Sequence, residues 1–299
     1  MSTNGRDYSS SGVRFELVSV SVQDVTPWLG PTLGGTVVTI AGSRLAHAES
    51  LRCTFGVSKW STSVYSSSWS VAASVHGSEG VRCVSPRALP TGWSALELWS
   101  HGTSLRSGAS FFVHVAMYVS AVDPPAGPVS GGTRVSVLGA GFREAATFRC
   151  RFEASGASVV ARHVSEEQVE CASPPSSGAG SRRVEVSLNG QQFSTSGVSF
   201  TYRPAAAVSS VWPVRGAAEG GTPVTVLGSG FSAAAEASGA LLCRFNTTAV
   251  VAAYVSESAL LCNTTASPAG YATVEVSTNG REFSTSCLLY TSPSPRDRG

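Results

Sequence analysis

The sequence predicts an all-β chain built as small sandwiches in tandem, and three observations carry that prediction. Landmarks recur with a period of about 90 residues, the mark of a repeated structural unit. Stretches of alternating apolar and polar residues are separated by Gly, Pro, Ser and Asn, which reads as short strands and turns. No stretch shows an extended apolar pattern of helical period.

The landmarks come in a fixed order. A Gly-Gly-Thr triplet stands at 34–36, 131–133 and 220–222, inside GPTLGGTVVTIAGSRL (30–45), GPVSGGTRVSVLGAGF (127–142) and GAAEGGTPVTVLGSGF (216–231). An apolar-x-Cys-x-Phe strand follows: LRCTF at 51–55, FRCRF at 148–152 and LLCRF at 241–245. A second cysteine comes next, in VRCVSP (81–86), VECASP (169–174) and LLCNTT (260–265). The unit closes on an Asn-Gly segment, SLNGQQFS at 187–194 and STNGREFS at 277–284, with a further copy, STNGRDYS, at 2–9. The pairs Asn4-Gly5, Asn189-Gly190 and Asn279-Gly280 predict two-residue hairpin turns, because both central positions of such a turn need positive φ. About seven short strands in such a unit match an immunoglobulin-like sandwich with its own core. One turn of helix fits FREAAT (142–147) and FSAAAEASG (231–239), and nothing longer does.

Seven cysteines fall on this frame as Cys53 and Cys83, Cys150 and Cys171, Cys243 and Cys262, with Cys287 left over. One pair at matching landmarks of each repeat predicts one disulfide per sandwich; the rival reading is six buried free thiols. A zinc site fails on spacing, since no Cys-x-x-Cys occurs. Two glycosylation sequons, at Asn246 and Asn263, join the paired cysteines in pointing to an oxidising, extracellular compartment.

Pro124, Gly127-Pro128, Gly131-Gly132-Thr133, then VLGAGF, CRF, VECASP and VSLNGQQFSTSGVSFTY resemble the IPT/TIG domain. The resemblance covers nearly the whole chain and is strongest in the second repeat. It implies an immunoglobulin-like fold shared by plexins, fibrocystin-like receptors, growth-factor receptor kinases and Rel-type transcription factors. Three departures stand out. Ala217 replaces a proline, CNTT replaces Cys-x-Ser-Pro, and Arg44-Leu45 stand where the other repeats have Gly141-Phe142 and Gly230-Phe231. The last predicts a differently built turn in the first repeat.

The predicted domains are repeats at 18–115, 116–203 and 206–287, joined by short linkers. Residues 1–17 resemble the last hairpin of an earlier repeat, which makes Met1 an internal methionine of a longer protein. From Cys287 onward, CLLYTSPSPRD resembles a translated sequencing adapter, so 288–299 is set aside as a non-native tail; a Pro/Ser-rich linker is the alternative.

Chemistry-bearing patterns are sparse. There is no Gly-x-Ser-x-Gly elbow and no phosphate-binding glycine loop, so neither an enzyme nor a cofactor is predicted. RHVSEEQVE (162–170) gathers His163, Glu166, Glu167 and Glu170, but neighbours on alternating strand faces do not converge, and an exposed turn is the better reading. No metal site is predicted. A formal net charge of +2 does not make the basic face that nucleic acid needs. Five of the six tryptophans (Trp28, Trp60, Trp69, Trp93 and Trp99) lie in the first repeat. Trp60 and Trp69, in the long segment between its cysteines, read equally as a binding loop for a protein or glycan and as core or seam residues. The predicted role is a non-enzymatic binding, adhesion or spacer piece of a secreted or cell-surface protein, membrane-anchored outside this chain if at all. An intracellular DNA-binding or dimerisation module of the Rel type is the alternative.

Overall fold

The structure is a computed structural model and describes residues 21–45, 50–57, 68–77, 80–105, 108–153, 158–285 and 288–292. The first repeat runs through β1 (Ser21–Thr26), β2 (Leu29–Pro31), β3 (Val37–Ser43), β4 (Arg52–Val57), β5 (Ser68–His76), β6 (Gly80–Val84), β7 (Gly92–Ser100), β8 (Thr103–Ser104) and β9 (Ala109–His114). One layer is β1-β3-β6 and the other β4-β7-β9-β2, with β2 parallel to β9. β5 serves both: its first half pairs with β4 and its second half, from Ala73, with β6.

The alternation of the strands explains the core. Val38 and Ile40 of β3 and Leu96 and Leu98 of β7 point inward at period two, onto Phe55 and Phe111, whose rings meet edge to face at 5.4 Å.

The second repeat reuses the plan. Its strands are β10 (Tyr118–Asp123), β11 (Ala126–Pro128), β12 (Arg134–Ala140), β13 (Arg149–Phe152), β14 (Ser158–Ser165), β15 (Gln168–Ala172), β16 (Gly180–Ser187) and β17 (Ser199–Arg203). Here β14 is the strand shared between layers. The third repeat holds β18 (Ala207–Trp212), β19 (Pro223–Ser229), α1 (Ala233–Ala237), β20 (Leu242–Phe245), β21 (Thr248–Val251), β22 (Ala253–Ser256), β23 (Ala259–Asn263), β24 (Gly270–Ser277) and β25 (Leu288–Ser292). There the shared strand is split into β21 and β22 at the buried Ala252.

The Gly-Gly-Thr triplet now has a mechanical reason. Gly131 and Gly132 take φ of 73° and 86°, and a Cβ on Gly131 would lie 2.6 Å from the carbonyl carbon of Pro174. That turn aims the Thr133 amide at Ser173 Oγ, 3.1 Å away. Thr36 and Ser85 make the same bond at 3.0 Å in the first repeat. In the third, the Thr222 amide donates to Thr264 Oγ1 at 3.1 Å, so the hydroxyl survives where CNTT replaces Cys-x-Ser-Pro.

Two turn expectations are corrected. Asn189 and Asn279 are not in the positive-φ region; only Gly190 and Gly280 are. Each asparagine is buried, and its Oδ1 accepts the two following amides, those of Gln191 and Gln192 or of Arg281 and Glu282, at 3.0–3.1 Å. The connection from β16 to β17 is therefore a side-chain-capped loop over residues 188–198, and not a two-residue hairpin. A two-residue turn with positive φ at both central positions does occur, at His101-Gly102 between β7 and β8, where the sequence has no Asn-Gly. The second correction is Arg44. It adopts φ 58°, beside 80° for Gly141, so the first repeat builds the same turn and seats Leu45 where the others bury Phe142 and Phe231.

Tyr202 closes the second core. Its ring packs edge to face on Phe200 at 5.1 Å, and its hydroxyl donates to the Pro174 carbonyl at 2.8 Å. Burial pushes its pKa up from 10.0 to about 12, against the smaller opposing effects of Ser173 and Arg182. Because the folded value lies above the unfolded one, this stabilising contribution is intact below pH 10 and is lost as pH rises from 10 to about 12. Tyr202→Phe is expected to cost about 1 kcal/mol at neutral pH and to remove that alkaline loss. Urea midpoints of both proteins, compared from about pH 8 to 11, check it.

Candidate functional site

The predicted site residues are dispersed. Cys53–Cys83, Cys150–Cys171 and Cys243–Cys262 are bonded, with Cα separations of 6.3, 6.3 and 6.4 Å, and each bond clasps the two layers of one sandwich. Asn246 is exposed in the turn between β20 and β21, where its Oδ1 accepts the Thr273 amide at 2.9 Å. Asn263 is exposed at the end of β23. Trp60 and Cys287 lie outside the described residues. Trp69 sits on β5 opposite Phe55 and packs against the first core, partly buried. That position gives it a structural task without any ligand.

A different aromatic group faces outward. Trp93 on β7 lies directly across from Phe112 on β9, and Phe112 neighbours β2 through its amide, which donates to the Trp28 carbonyl at 2.8 Å. The three rings form one contiguous surface. Trp28 and Trp93 stack at 5.5 Å and 16°, and Phe112 meets Trp93 edge to face at 5.3 Å. Trp93 is 55% exposed. The register places Ser181 and Tyr271 at the position of Trp93 in the other repeats, and Thr201 of the second repeat at that of Phe112. Such a face offers planar apolar area on a rigid sheet, with little side-chain entropy to lose on contact.

On the same outer face, the second and third repeats use an ionic layer. Arg151 reaches Glu185 at 2.5 Å with its guanidinium 4.1 Å from the Phe193 ring, and Arg244 pairs with Glu275 under Phe283 at 4.0 Å. In the first repeat Thr54 stands where these arginines stand, opposite Glu97. Within the unit formed by the second and third repeats, the Asn279 loop also reaches back to its neighbour. Arg281 pairs with Asp123 at 2.7 Å, and Thr133 Oγ1 donates to Glu282 at 3.0 Å.

RHVSEEQVE forms a strand-turn-strand, with Glu166 and Glu167 exposed at the tip. The Arg162 guanidinium, 2.6 Å from Glu170, holds that carboxyl below its usual range. No group of three His, Cys, Asp or Glu residues placed to hold a metal ion occurs among the described residues. Nor is any helix among them long and apolar enough to cross a membrane.

The sequence matches the IPT/TIG domain at residues 21–113, 117–202 and 206–292. No curated protein matches it. Similar solved structures include the full extracellular region of plexin A4, 17% identical over 89% of this chain with a TM-score of 0.46. Another is SGBP-B of Bacteroides ovatus in complex with a mixed-linkage heptasaccharide, 12% identical over 90% of this chain and 66% of that one, with a TM-score of 0.26. Invasin, a bacterial integrin-binding protein, is 12% identical over 93% of this chain and 60% of that one, with a TM-score of 0.24. The chain spans 23% of the length of that plexin A4 chain.

Proposed function

Because the chain belongs to the IPT/TIG domain family, we propose that it is a binding segment of a secreted or cell-surface protein, acting in adhesion or as a receptor ectodomain and not as an enzyme. The observation that carries this reading is the Trp28–Trp93–Phe112 surface of the first repeat, with Trp93 exposed and the other two rings partly so. Aromatic groups exposed on a rigid scaffold are the usual anchors of a recognition surface. Each sandwich is held by one disulfide, as suits an oxidising compartment, and the exposed Asn246 and Asn263 are proposed glycan acceptors. An intracellular Rel-type role has less support, since three bonded cysteine pairs do not suit a reducing compartment.

The test is a screen of the secreted chain against arrays of extracellular proteins and glycans. Trp93→Ala removes a half-exposed side chain and leaves the buried face of β7 in place. It is expected to weaken the partner's binding by about tenfold or more, the cost of truncating an aromatic anchor. Unchanged binding by a folded Trp93→Ala protein would remove this surface from the function.

A further inference from the structure

The outer face of the first repeat's β3-β6-β5 layer carries an open groove of about 700 Å³, lined in part by Val37, Ala72, Ser74, Arg82, Val84 and Arg87. Val37 and Val84 pair across β3 and β6 and make its floor, 40% and 50% exposed. One row along, Arg82 lies between Thr39 on β3 and Ser74 on β5, and its Nε–H donates to Thr39 Oγ1 at 3.4 Å. Neither Arg82 nor Arg87 has a carboxylate partner among the described residues.

The other repeats show what the same place looks like without this character. In the second, Glu170 occupies the position of Arg82 and Arg162 that of Ser74, and the two neutralise each other at 2.6 Å. Arg134 stands there in place of Val37. In the third, Leu261 occupies the position of Arg82, flanked by Thr225 and Ala253. Among the described residues, an apolar floor beside guanidinium groups without a carboxylate partner is thus peculiar to the first repeat.

We propose that this groove docks an extended acidic segment of a protein partner, its carboxylates on Arg82 and Arg87 and its aliphatic side chains on Val37 and Val84. Charge and shape select this occupant. Guanidinium groups pair with carboxylates through two parallel hydrogen bonds. The floor follows strands, whose same-face side chains recur every second residue; along β6 that face reads Arg82 then Val84, and an extended peptide with an acidic and an aliphatic residue two positions apart turns both toward it. The groove is open along its length, so it cannot enclose an alkyl chain, and among the described residues no aromatic ring lines it to stack on a sugar.

The probe is a blocked hexapeptide with valine and glutamate in turn at every second position and serine between them, with its glutamine counterpart as control, titrated into the 15N-labelled full chain. The glutamate peptide is expected to shift the amides of Val37, Ala72, Ser74, Arg82 and Val84. It is also expected to bind about tenfold more tightly than the glutamine peptide, less so as salt is raised. Exchanging both arginines, Arg82→Glu with Arg87→Glu, is expected to reverse the preference toward a valine–lysine peptide. Equal affinity for the glutamate and glutamine peptides, absence of binding, or shifts confined to other faces overturns the proposal. So does a groove that takes dodecanoate and not the peptide.

Discussion

Phe152→Ala is expected to lower the stability of the second repeat by about 3–5 kcal/mol, the usual cost of emptying a buried phenylalanine site. Phe152 is 1% exposed and pairs across β13 and β16 with Val184. Its ring meets Phe200 edge to face at 5.5 Å and Tyr202 at 6.4 Å. Truncation therefore removes apolar burial and two aromatic contacts, and leaves a cavity between two layers held by their own hydrogen bonds, which cannot close over it. Leu138→Ala, at a side chain 37% exposed on β12, is expected to change stability by less than about 1 kcal/mol. Hydrogen exchange of peptides from residues 117–203, followed through urea denaturation, isolates this repeat. A loss under about 1.5 kcal/mol for Phe152→Ala would mean that the three rings do not form the centre of the core.

Replacing both Cys150 and Cys171 by alanine is expected to cost the second repeat about 3 kcal/mol. The bond joins residues 21 apart in sequence, and without it the unfolded chain regains the conformations that this closed loop forbids. The same double replacement at Cys243 and Cys262, 19 apart, should cost about as much, and that at Cys53 and Cys83, 30 apart, a few tenths of a kcal/mol more. Denaturation of each variant, with and without reductant, measures the effect, and reductant should not further destabilise the repeat whose bond is already gone. Peptide mapping without reduction, on protein from its native compartment, tests the pairing itself. Free thiols there would count against an extracellular role.

The repeated landmarks were legible because each does a local task with one residue type. A Gly-Gly pair suits a turn where two successive residues take positive φ and the first lies too close to a facing carbonyl for a Cβ, and a cysteine or phenylalanine at period two marks the inward face of a strand. The Asn-Gly turn was misread for a physical reason. Asn-Gly favours a two-residue hairpin in isolation, but here Ser194 Oγ and the asparagine Oδ1 engage the backbone instead, and the strand resumes only at Ser199. The Arg44 turn was misread because glycine prefers positive φ without being the only residue able to adopt it.

The candidate surfaces were far less legible. Trp28, Trp93 and Phe112 are distant in sequence and share a face only because β2 runs parallel to β9 while β7 runs antiparallel beside it. Trp69 looked equally available, yet the register that sets it opposite Phe55 turns it toward the core. The groove is likewise invisible in a linear reading, since it depends on β5 leaving one layer for the other and on Ser74 standing where the second repeat has a balancing arginine. By itself, then, the sequence determined what short-range chemistry decides: the period, the strands, the glycine turns and the absence of catalytic motifs. Which aromatic rings are buried, which reach solvent together and which charges go unpaired were decided by strand register and layer exchange. A shift of one residue in register exchanges the two faces of a strand, and only the assembled sheets fix that register.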